Sequence, residues 1–103
     1  MDFGRSNQNT FTIEIEGDLD VNHLERLMAL KAMVSARLNE CANCHHIIDL
    51  KNVQNIDSTG IGVLVFLKAE IDRMNGTIEL IHMNDRVTGF LQATTMDEYF
   101  NIT

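Results

Sequence analysis

Residues 11–16, Phe-Thr-Ile-Glu-Ile-Glu, alternate apolar and polar side chains. A period of two predicts a strand with one buried face. Gly17-Asp18-Leu19-Asp20 ends it, and Asp20 stands where a helix N-cap is expected. From 21 to 39 the period lengthens. Leu24, Leu27, Met28, Val34 and Leu38 recur at threes and fours, with Glu25, Arg26, Lys31 and Arg37 mostly elsewhere, so a helix with one apolar face is predicted. Residues 46–50, His-Ile-Ile-Asp-Leu, form a short apolar run of the kind found in a buried strand. A second helix is predicted over 59–74, ended by Asn75-Gly76, where Gly76 suits the left-handed C′ position. A third strand follows at 77–81. A short helix runs over 86–93, with Val87, Phe90 and Leu91 facing inward, and residues 99–102 are expected to form a last short strand. Met28, Met33, Met74, Met83 and Met96 read as core or near-core fillers. Residues 1–10 are expected to be a weak first strand or a mobile terminus.

Strand and helix therefore alternate. That order implies an α/β fold with about three helices on a mixed central sheet that contains parallel pairs. Ligands and partners of such a fold meet the loops at the carboxyl ends of the strands. One of those loops is Asn55-Ile-Asp-Ser-Thr-Gly-Ile-Gly62.

Length and charge narrow the choice. The chain has 103 residues, the size of one domain, and 45% of them are apolar. No apolar run approaches the roughly 20 residues that cross a bilayer, and no signal-peptide pattern opens the sequence, so a cytoplasmic protein is expected. Eight Lys and Arg stand against fifteen Asp and Glu, a formal charge of −7. An acidic chain without a basic cluster is a poor ligand for nucleic acid or an anionic membrane. A protein partner with a basic contact surface fits better.

Asp57-Ser58-Thr59-Gly60 enters the second helix, and two readings are open there. One is a capped helix and nothing more, since Asp, Ser and Thr are all good N-caps. The other is a regulated hydroxyl. Phosphate on a serine at a helix N-terminus is tolerated by the fold, because free N–H groups and the helix dipole favour an anion. It adds about −1.5 to −2 charges, and the effect falls on a partner. Gly60 and Gly62 allow another backbone to come close. On a helical wheel Gly60, Val63, Leu64, Leu67, Ile71 and Met74 share the core face. Ile61, Val65 and Ala69, with Phe66 at the margin, form a second apolar stripe. That stripe is either a protein contact or a face packed under the third helix or the N-terminal segment.

Asp57-Ser58-Thr59-Gly60-Ile61-Gly62, preceded by Ile48-Asp49-Leu50 and Val53, resembles the signature of the STAS domain, specifically the bacterial anti-sigma factor antagonists. Gly17-Asp18-Leu19-Asp20, Asn75-Gly76-Thr77-Ile78-Glu79-Leu80, Phe90-Leu91 and Tyr99-Phe100-Asn101-Ile102 resemble further family positions, in order, over about residues 11–103. The resemblance implies partner switching. The unphosphorylated protein binds an anti-sigma factor that is also a serine kinase of the histidine-kinase-like ATPase fold. Phosphorylation releases it, and a PP2C-type phosphatase resets the cycle. Carried over by position, Ser58 is the phosphoacceptor. Asp57, Thr59, Gly60 and Ile61 belong to the contact loop and Asp20 to the neighbouring turn; Val65 is added as a contact from the helical wheel, not from the resemblance. The sequence departs from the family in its weak first strand, in Thr59 where Ser is frequent, and in stopping at Thr103 where many relatives continue into a helix. The alternative is a STAS docking subunit of a larger signalling or transport assembly without a phospho-switch.

Other chemistries are weaker. Cys41-Ala42-Asn43-Cys44-His45 matches a short haem-attachment pattern, but such attachment requires export. Zinc would need a second separated ligand pair, so two reduced thiols in a polar loop are expected. Ser58 with His82 or His23 and an Asp could be drawn as a triad, but the Gly-x-Ser-x-Gly elbow is missing. No nucleotide-binding glycine motif is present. No enzyme activity and no cofactor are expected.

Overall fold

The structure, a computed structural model, describes residues 10–102. Strand β1 (Thr10–Glu16) leads through a short 3-10 turn (Val21–His23) into helix α1 (Leu24–Glu40). Strand β2 (His45–Asn52), helix α2 (Ser58–Arg73) and strand β3 (Thr77–Ile81) follow. Two further helices, α3 (Asp85–Ala93) and α4 (Met96–Tyr99), close the described chain. The strands lie in the order β1-β2-β3, and both neighbouring pairs are parallel. The α/β class is borne out, and strand and helix alternate as expected through α3. The sheet among the described residues is parallel throughout rather than mixed; of the weak first strand or mobile terminus expected over 1–10, residues 1–9 lie outside the described residues.

The alternation in β1 works as a period of two dictates. Ile13 and Ile15 are buried while Thr12, Glu14 and Glu16 are exposed. In β2 His46, Ile48 and Leu50 join them on the same face, and Leu80 of β3 completes it. Leu27, Leu30, Val34 and Leu38 of α1 and Leu64, Leu67 and Ile71 of α2 belong to the same buried cluster. Val87 and Leu91 of α3 are fully buried in it, and Phe90 packs against it. The other face is mixed: Ile47 and Ile81 stand among Thr12, Glu14, Asp49, Lys51 and Glu79. Lys51 meets Glu14 at 2.9 Å there, and His45 meets Glu79 at 3.0 Å.

Several expectations are corrected. Leu24 and Met28 are not core but exposed, and so is Met33. The buried stripe of α1 runs through Leu30 instead, which shares a face with Leu27, Val34 and Leu38. Met74, Met83 and Met96 do pack against the core. Asn75, with φ of 66°, takes the left-handed position after α2. Gly76 is needed for a different reason, because a β-carbon there would sit 2.7 Å from the carbonyl oxygen of Cys44. The last strand expected over 99–102 does not form. Met96–Tyr99 is helical, Phe100 plugs the core, and Asn101 has φ of 59°, which no strand accommodates. Cys41 and Cys44 are joined by a disulfide, not left as free thiols. A separation of three residues places their α-carbons 5.6 Å apart, within bridging range.

Candidate functional site

A parallel sheet delivers all three strand-ending loops to one edge. Residues 17–20 follow β1, 53–57 follow β2 and 82–84 follow β3, and each leads into a helix N-terminus. The first two loops lie side by side as a short continuation of the sheet. Leu19 and Ile56 form an isolated parallel bridge. The Leu19 amide donates to the Asn55 carbonyl and the Asp57 amide to the Leu19 carbonyl, both at 3.2 Å. Leu19 is fully buried beneath them.

Asp57 is the N-cap of α2. Its backbone is extended, and Oδ1 accepts the Gly60 amide hydrogen at 3.0 Å. Oδ2 accepts from the Val21 amide at 3.0 Å, so one carboxylate caps α2 and ties the start of the 3-10 turn to it. Partial burial works against its charge. The amides of Val21, Gly60 and Thr59 outweigh that and hold the carboxyl below the ordinary carboxylate range. Asp20 caps the 3-10 turn as expected, accepting from the Asn22 amide at 3.1 Å, and it pairs with the His23 ring at 2.6 Å.

Because Asp57 serves as the cap, Ser58 does not. It is the first residue of α2 and is exposed, and its hydroxyl makes no hydrogen bond to the described residues. The helix N-terminus supplies a partial positive charge beside it. Thr59 is half-buried and Gly60 buried. Gly62 is exposed, with open space where a β-carbon would stand. Of the two glycines named from the sequence, Gly60 thus meets this chain's own backbone and Gly62 faces outward.

The second apolar stripe is corrected at its first residue. Ile61 is only 8% exposed and belongs to the core. The inward arc of α2 runs from Leu67 through Gly60 and Leu64 to Ile61, wider than one heptad stripe, because α2 packs on both β3 and α1. Val65 is half-buried against the same core, and Ala69 and Phe66 are exposed. Exposed apolar surface next to the loop comes instead from Val21, 54% exposed, whose amide Asp57 holds; Leu24, also exposed, follows it on the same segment. The spacing in the sequence put Leu24 on the expected core face and singled out nothing at Val21.

The triad drawn from the sequence is not assembled. His23 pairs with Asp20 and His82 with Asp49, at 2.6 and 3.1 Å, and neither ring hydrogen-bonds Ser58. Among the described residues no three His, Cys, Asp or Glu side chains are grouped to hold a metal ion. No helix among them is long and apolar enough to cross a membrane.

The STAS domain family model matches residues 5–103. The anti-sigma-B factor antagonist of Bacillus subtilis (strain 168) is 27% identical over 103 residues, covering 96% of this chain and 86% of that protein. The crystal structure of a putative anti-sigma factor antagonist from Thermotoga maritima superposes with a TM-score of 0.69 at 27% identity. It covers 81% of this chain and 68% of that one. The STAS domain of a SulP transporter from Vibrio cholerae superposes with a TM-score of 0.72 at 17% identity, over 89% and 68% of the two chains, and shows the shared fold alone.

Proposed function

The chain belongs to the STAS domain family, and from that premise we propose that it is an anti-sigma factor antagonist switched by phosphorylation of Ser58. It is a binding regulator and not an enzyme. The observation that carries this reading is the division of labour at the start of α2. Asp57 supplies the cap, and Ser58 is left exposed with an uncommitted hydroxyl at the positive end of a helix. The similarity to the Bacillus subtilis antagonist supports the class of partner. That partner is an anti-sigma factor acting also as a serine kinase of the histidine-kinase-like ATPase fold, with a PP2C-type phosphatase resetting the switch in the cytoplasm.

The unphosphorylated protein binds through Asp20, Asp57, Ser58, Thr59 and Val65, with the exposed Val21 adding apolar surface, while the buried Gly60 and Ile61 support the loop from within. A phosphate on Ser58 brings about −1.5 to −2 charges next to Asp57 and near Asp20. The helix N-terminus accommodates that charge, so the domain stays folded and the partner is repelled. Intact-mass spectrometry with peptide mapping, on protein taken from its own cell, tests the proposal. A gain of about 80 Da, one phosphate, on Ser58 supports it. The second reading is a docking subunit of a larger assembly without a switch. An unmodified Ser58 under every growth and stress condition, in a large native assembly by gel filtration, would select that reading.

A further inference from the structure

Three residues before Ser58, Asn55 uses every polar group it has. Its amide donates to Asp18 Oδ1 at 3.0 Å, and its carbonyl accepts from the Leu19 amide at 3.2 Å. Its side-chain Nδ2 donates to Asp18 Oδ2 at 3.1 Å, and its Oδ1 accepts from Arg86 Nη1 at 2.6 Å. Asp18 lies in the loop after β1, and Arg86 in the first turn of α3. One amide side chain therefore joins the loops after β1 and β2 to the first turn of α3, with its NH2 toward a carboxylate and its oxygen toward a guanidinium. That charge pattern fixes which way the amide points.

Neighbouring groups reinforce the joint. Asp18 Oδ1 also accepts from the Gln54 amide at 3.1 Å. Asn84, the cap of α3, donates to the carbonyls of Val53 and Gln54 at 3.2 and 3.3 Å. The bond from Asn55 is the largest of the influences that hold the Asp18 carboxyl below its ordinary range. No other side chain of this length both donates to an acid and accepts from a base: Asp lacks the donor and Leu lacks both groups.

We propose that Asn55 is the positioning residue of the Ser58 loop, an amide joint between Asp18 and Arg86 that sets how the serine is presented to its kinase. The kinase part of this statement rests on the function proposed above; the joint itself does not. Asn55→Asp sets a carboxylate against Asp18 and breaks the joint on one side. Asp18→Asn in the same chain restores it with the roles exchanged, because the amide at 18 now donates and the carboxylate at 55 still accepts from Arg86. Net charge equals that of the parent in the double variant.

The experiment uses the full chain and four variants: Asn55→Asp, Asp18→Asn, the double exchange, and Arg86→Gln, which removes only the exposed half of the joint and leaves the core untouched. Amide hydrogen exchange over residues 55–60 is read on the purified proteins. The phosphorylated share of Ser58 is read by intact mass, with each variant as the only copy in its own cell. The expected result is faster exchange in the single variants and a phosphorylated share about fivefold lower, the effect of one hydrogen bond. The double exchange should return both readouts toward the parent. Parental exchange in the single variants, or no recovery in the double exchange, would overturn the joint. Faster exchange with an unchanged phosphorylated share would overturn its role in presenting Ser58. A parent chain that carries no phosphate on Ser58 overturns the proposed switch instead, and the exchange data then still decide whether Asn55 holds the loop. Should Asn55→Asp fail to fold, Arg86→Gln gives the same decision.

Discussion

Gly60 lies so close to the main-chain carbonyl of Leu19 that a β-carbon at position 60 would overlap the oxygen. This contact sets the distance between the loop after β1 and the first turn of α2. Gly60→Ala must push the two apart, breaking the hydrogen bonds that run between Leu19 and residues 55 and 57. A loss of about 1–3 kcal/mol of stability is expected, the usual cost of overpacking. Gly62→Ala, where the added carbon meets nothing within 4 Å, should gain about 0.5–1 kcal/mol from helix propensity. Urea unfolding of the two variants checks both signs.

Asp57 holds two segments together, so its removal should cost more than an ordinary cap. Asp57→Ala loses the N-cap, about 1 kcal/mol, and also frees the Val21 amide. The same carboxylate predicts an acid limb in the stability curve. The carboxyls of Asp18 and Asp57 are depressed in the folded state from 3.8. Their contribution is therefore complete above that value and is lost as pH falls through the folded-state pKa. In Asp57→Ala the decline of the melting temperature below about pH 4 should be shallower than in the parent.

How the site reads from the sequence follows from range. Capping is local, so Asp20 and the Asp57–Gly60 turn were legible where they stand. Whether an apolar residue is core depends on what covers it, and spacing carries no record of that. Leu24 and Met28 repeat like core residues and are exposed, while Ile61 falls in the second stripe of the wheel and is buried. The alternation at 99–102 fits a strand, but Asn101 turns left-handed and Phe100 is drawn into the core. The joint at Asn55 was invisible for the same reason, since Asp18 and Arg86 lie 37 and 31 residues away.

His46 predicts a second, milder loss of stability on acidification. Its side chain is fully buried beside Phe11, and neither ring nitrogen closes a hydrogen bond to a described residue. Burial lowers its pKa from 6.5. The carbonyls of Cys44 and Thr77 oppose this without reversing it, and His45 and Arg37 add to the lowering. Folding thus favours the neutral ring. The contribution is whole above 6.5 and declines as pH falls through that value toward the folded-state pKa. His46→Leu removes the buried polar atoms, so at pH 7 it should be at least as stable as the parent. Its melting temperature should stay flat between about pH 7 and 5, where the parent declines.

Ile61 and Val21 separate core from contact surface. Ile61→Asp buries a charge without a partner and should cost about 3 kcal/mol or more, seen as a lost or strongly lowered thermal transition. Val21→Asp lies on an exposed residue and should keep the melt within a few degrees of the parent while weakening capture of the anti-sigma factor. Equal melts for the two variants would place Ile61 at the surface after all.

Ser58 carries the last prediction. Its hydroxyl makes no hydrogen bond within the described fold, so Ser58→Ala should change stability by no more than about 0.5 kcal/mol. The variant cannot accept phosphate and should hold the anti-sigma factor under conditions in which the parent releases it. Ser58→Glu adds one charge where phosphate adds about two, and it lacks the phosphate's three oxygens. It should weaken binding by about tenfold, roughly 1.4 kcal/mol, and less than phosphate does. Because the helix N-terminus favours a negative charge at its first residue, Ser58→Glu should also melt no lower than the parent. Weaker binding together with an undiminished melt would locate the effect at the interface. Weaker binding with a lowered melt would mean that the switch works by unfolding the loop, and charge repulsion would no longer be needed to explain release.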